Sequence, residues 1–109
     1  MKVLTIVYDL GAGGTQRNAQ NFSFGFKDRG HDVAVLTYQG AGPRLQQLES
    51  KGISVFIGGT EKGSLREAVD AAISWHPDIL HIHSQGREQP EISNIIERFK
   101  SSANHRLPI

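Results

Sequence analysis

A chain of 109 residues, 38% of them hydrophobic and none of them cysteine, has room for one small domain with a single core, and for neither disulfides nor thiolate metal sites. Twelve basic residues against eleven acidic ones leave a net charge of +1, without the basic stripe that nucleic-acid binding needs, so no nucleic-acid partner is expected. No window approaches the roughly 18 apolar residues of a membrane span, and MKVLTIVYD lacks the apolar length and cleavage site of a secretion signal; the expectation is a soluble, cytoplasmic chain.

The first element is KVLTIVY, residues 2–8, an apolar run with little alternation, as in a strand buried on both faces. A glycine-rich loop follows at 9–14. From Thr15 to Arg29 the pattern is helical, with Ala19, Phe22 and Phe26 forming one apolar stripe. Thr15 is placed to cap this helix and Gly30 to end it. Phe24 falls off the stripe and is expected at the surface. DVAVLTY, 32–38, is a second strand, and Pro43 opens a short helix over 43–51 that Gly52 closes.

ISVFI, 53–57, is a third strand, followed by a flexible GGTEKG loop. Ser64 and Glu67 have capping-box spacing at the start of a helix through Trp75, and Pro77 breaks it. Trp75 is expected to pack against the sheet, and His76 to complement the helix dipole. DILHIH, 78–83, is a fourth strand, and a last helix runs from Glu88 to Ser102. HRLPI, 105–109, looks like the opening of a fifth strand, cut off after two apolar residues.

Strand and helix alternating four times with short links predict an α/β fold: parallel strands covered on both faces. Right-handed crossovers then give a doubly wound sheet ordered 3-2-1-4, with a place for a fifth strand. In such sheets ligands bind beyond the carboxyl ends of the strands, where strand order reverses. Here that point lies between strands 1 and 4. Gly11, Gly13 and Gly14 follow strand 1, and His83 and Ser84 follow strand 4, so two unusual features converge on one crevice.

Glycines let backbone N–H groups approach a ligand closely, and the following helix presents its positive end, which suits an anion. The loop is not a Walker A motif, because no Gly-Lys-Ser/Thr follows. Nor is it a dinucleotide fingerprint: Gln16 stands where G-x-G-x-x-G needs glycine, and Thr37, Tyr38 and Gln39 supply no acid for a ribose. Arg17, in the first turn of the helix, is placed either to assist an anion or to pair with a neighbour.

His81 and His83 lie two apart on one strand face. No third ligand is near in sequence, so no metal is expected. His83, at the strand end, opens onto the crevice as a hydrogen-bond donor or a weak acid/base, while His81 lies deeper as a structural residue. The NFS sequon at 21–23 falls on a helix and is discounted.

Taken together, GAGGTQR, FKDRGHDVAVLTYQG, LESKGISV and HPDILHIHS resemble, in order and spacing, the N-terminal domain of family-4 glycosyltransferases of the GT-B fold. The resemblance covers essentially the whole chain. It implies two Rossmann-like domains across a cleft, the N-terminal one mainly binding the acceptor and the C-terminal one the nucleotide sugar. The implied chemistry is sugar transfer with retention of configuration, without a bound metal or other cofactor; the nucleotide sugar is a co-substrate.

On that resemblance, His83 is the catalytic-site histidine, in contact with the transferred sugar or the acceptor. Gly13, Gly14, Thr15, Arg17 and Ser84 are the substrate-binding residues. Gln16 stands where many relatives carry glutamate. The family's basic pair and Glu-x7-Glu motif belong to the C-terminal domain; Glu88, Glu91 and Glu97 here have other separations.

The expectation is an incomplete N-terminal domain over 1–109, inactive alone. Its partners would be a nucleotide-sugar donor and a sugar or lipid-linked acceptor, with peripheral membrane contact open, although no basic amphipathic helix supports it. Two alternatives stand beside it: one subunit of a split glycosyltransferase with a partner chain, or a stand-alone module binding a phosphorylated metabolite.

Overall fold

The apolar runs without alternation become four parallel strands, because a strand covered on both faces has no side to give to water. The computed structural model describes residues 1–11, 13–59, 63–83 and 90–102. The elements are β1 (Lys2–Val7), α1 (Gly14–Asp28), β2 (Asp32–Thr37), α2 (Leu45–Ser50), β3 (Ser54–Ile57), α3 (Ser64–Ser74), β4 (Ile79–Ile82) and α4 (Pro90–Ser102). The sheet order is β3-β2-β1-β4, all parallel, with Val3 paired to Val33 on one side and to Ile79 on the other. This is the Rossmann-like, doubly wound arrangement that the alternation predicts. The place of a fifth strand at 105–109 lies outside the described residues.

Alternate strand residues feed two cores. Leu4, Ile6, Ala34, Leu36 and Leu80 face α3 and α4, meeting Ala68, Val69, Ala72, Ile95 and Phe99. Val7, Val33 and Val35 face the other way, towards Ala19 of α1 and Leu48 of α2. Trp75 packs at the margin of the first core, with the Lys2 ammonium 4.7 Å from its ring centre. No described helix is long and apolar enough to cross a membrane.

Gly30 and Gly52 terminate α1 and α2 as expected, both at positive φ. Each closes a Schellman turn: Gly30 N–H donates to Lys27 O and His31 N–H to Phe26 O, while Gly52 and Ile53 repeat the pattern on Glu49 and Leu48.

Three local expectations are corrected. Gly13, not Thr15, is the N-cap of α1, and Thr15 sits within the first turn. Gly63 caps α3; Ser64 is already helical, and its Oγ accepts from Gly59 N–H at 2.9 Å instead of closing a capping box with Glu67.

The third correction is the face of α1. Its buried residues are Gln16, Ala19, Gln20 and Ser23, while Phe22 is 53% exposed. Phe24, expected outside, instead packs against the α1/α2 core. The helix buries polar groups because each has a partner beneath it. Ser23 Oγ donates to Ala19 O at 2.7 Å and lies 3.3 Å from Thr5 Oγ1 on β1.

Candidate functional site

The neighbouring strands β1 and β4 run parallel, so residues 8–11, which follow β1, and His83, which follows β4, emerge at the same end of the sheet. His83 is tied to this end by its own backbone, which donates to Ile6 O at 2.9 Å. The two segments that the sequence analysis set at the reversal of strand order therefore share one end of the sheet. Ser84, the next residue of the inferred set, lies outside the described residues.

Within the loop, the glycines serve different ends. Asp9 Oδ1 accepts from Gly11 N–H at 3.0 Å, an Asx-type turn, and from Gln16 Nε2 at 2.7 Å. Gln16 folds back so closely that a Cβ on Gly13 would stand 2.6 Å from its Oε1. Gly13 thus makes room for the chain's own side chain. Gly14 is different: nothing lies within 4 Å of the place its Cβ would take, and the residue is exposed. Gly14 is the loop glycine that opens outward. Thr15 is half-buried beside it, and Arg17 is exposed with its backbone N–H on Gly13 O at 3.0 Å.

His83 and His81 stand side by side, ring centres 4.5 Å apart, and Phe22 contacts both at 5.6 and 5.4 Å. Phe26 adds a further edge contact to His81 at 5.4 Å. The His83 ring therefore leans on the flank of α1 rather than on the glycine loop itself. Burial pushes both imidazoles below their ordinary range, and the charge of His81 lowers His83 further. Both are accordingly neutral at pH 7. His81 Nδ1 and His83 Nε2 are buried without a hydrogen-bond partner. Among the described residues no group of three or more His, Cys, Asp or Glu assembles to hold a metal.

On the α4 side the same end of the sheet is acidic and aromatic. Tyr8 and Tyr38 meet edge to face, 5.6 Å between ring centres. The Tyr38 hydroxyl is pushed up to about 12 by burial, then by Glu91, Tyr8 and Asp9. A separate apolar cleft of about 340 Å³ between α3 and α4, lined by Leu65, Val69 and Ile95 with Arg66 and Arg98, includes none of the loop residues.

No family model, curated protein or solved structure matches this chain.

Asp9 and Arg44 were not among the residues expected at this site, and Gln16 entered only as a departure from two motifs, not as the partner of Asp9. An aspartate two residues before a glycine is a local turn signal that points to Asp9. Nothing local points to Arg44, whose partners lie 24 and 33 positions away.

Proposed function

We propose that this chain is the acceptor-side, N-terminal part of a retaining, metal-independent glycosyltransferase of the GT-B type. It would move a sugar from a nucleotide-sugar donor to a sugar or lipid-linked acceptor, and be inactive without its donor-binding half. The observation that carries the reading is the adjacency of β1 and β4, which sets the outward-facing Gly14 and His83 at one end of the sheet. The four motifs that resemble family-4 enzymes lie in the same order along these elements.

In this reading the first-turn amides of α1, at Gly13, Gly14 and Thr15, meet the anionic part of the substrates, with the positive end of the helix behind them. Neutral His83 donates to, or accepts from, a hydroxyl of the transferred sugar or acceptor. Arg17 adds an exposed positive charge at the rim.

The test is sugar transfer from a panel of labelled nucleotide sugars, run on the natural gene product and on these 109 residues alone. Transfer by the first and none by the second is expected. No transfer by the natural gene product from any nucleotide sugar overturns the reading, and transfer by the 109 residues alone overturns their inactivity.

A further inference from the structure

The backbone of Gly11 is held on both sides of its Cα. Its N–H is bound to Asp9, and its carbonyl accepts from Arg44 Nε at 2.9 Å. The same guanidinium reaches α1: Nη1 donates to Gln20 Oε1 at 2.9 Å, and Gln20 Nε2 donates onward to Gln47 Oε1 of α2 at 2.7 Å. Gly11 lies before the Gly13–Gly14 pair and Gln20 after it. One planar group thus spans the segment that has the fewest side chains of its own to hold it.

The backbone reinforces this clamp. Arg44 N–H donates to Leu10 O, and Leu10 N–H to Ala41 O, both at 3.2 Å. The approach depends on Gly42, where a Cβ would stand 2.3 Å from Leu10 O. Among the described residues no carboxylate lies within ion-pair distance of Arg44, so its charge is spent on two neutral oxygens beside the loop. A rigid fork on two neutral acceptors fixes the distance between them.

We propose that Arg44 is the positioning residue of the glycine loop. It sets the direction of the Gly13, Gly14 and Thr15 amides and leaves a positive charge beside them, without touching the ligand. The role of those amides rests on the function proposed above; the role of Arg44 in setting them does not.

The experiment records backbone amide spectra of the wild type, Arg44→Met and Arg44→Lys, with Gln47→Ala as a control that cuts only the onward bond. Each protein is then titrated with inorganic pyrophosphate. In Arg44→Met the amides of Gly11, Gly13 and Gly14 shift or broaden, and pyrophosphate binds at least fivefold more weakly. Arg44→Lys, which reaches only one of the two acceptors, moves the same amides and decides the matter if Arg44→Met does not fold. Gln47→Ala leaves them near their wild-type positions.

Loop amides that coincide with wild type in the Arg44 variants overturn the proposal. A wild type that ignores pyrophosphate counts against the ligand reading of the site, while the loop shifts still decide the role of Arg44.

Discussion

Gln16 reaches back seven positions from the first turn of α1 to Asp9, its Nε2 donating to Oδ1 at 2.7 Å. A neutral amide at this position lets the carboxylate gather two donors, Gln16 and the Gly11 amide. Glutamate, which many members of the resembled family carry here, would set a second carboxylate against the first. Gln16→Glu is expected to cost about 1–2 kcal/mol at pH 7, from the lost hydrogen bond and the like charges. Urea titrations at low and high salt check this: the deficit shrinks at high salt, which screens the like charges. An equal deficit at both would remove charge as the cause.

The His81–His83 pair makes stability fall with acid. Their neighbours are Phe22 and Phe26 of α1, and Thr5 opposite His81 on β1, none of them charged. The folded values lie below the ordinary 6.5, so below that pH the unfolded chain binds more protons than the folded one. Stability is full above about pH 6.5 and drops as pH falls towards the folded values. The urea midpoint should follow this course, and His81→Leu should flatten it. A midpoint independent of pH from 7 to 5 would contradict it.

Two glycines at this end of the sheet should respond oppositely to the same change. Gly14→Ala meets open space at the first helical position and should stabilise by roughly 0.5 kcal/mol. Gly42→Ala drives a methyl into Leu10 O and should cost about 1–3 kcal/mol. Thermal melts of the two variants separate them by sign.

Burial separates two phenylalanines in the same way. Phe99 is 2% exposed in the α3/α4 core and Phe22 is 53% exposed on α1. Phe99→Ala should cost about 3–5 kcal/mol. Phe22→Ala loses only ring contacts with Phe26 and the two histidines, about 1 kcal/mol or less. Equal losses in chemical denaturation would show that the outer aromatic cluster carries more of the fold than its exposure implies.

The sequence by itself determined the strands, their order and the C-terminal ends of α1 and α2. A strand buried on both faces must be apolar at consecutive positions, as in Val33 to Leu36, and a Schellman turn favours a residue without a Cβ, as at Gly30 and Gly52. Those demands are local, so they are written locally. Only the tertiary structure decided which face of α1 turns inward. The aromatic stripe pointed to Phe22, yet the helix buries Gln16, Gln20 and Ser23, because Asp9, Arg44, Gln47 and Thr5 wait beneath it from other elements. A polar side chain is buried at little cost once a partner is in place, and partners up to 27 residues away for this helix leave no periodic trace around it. The same holds for the loop: its glycines were legible, but the division between Gly13, filled by Gln16, and Gly14, with open space beside it, exists only when the chain is folded.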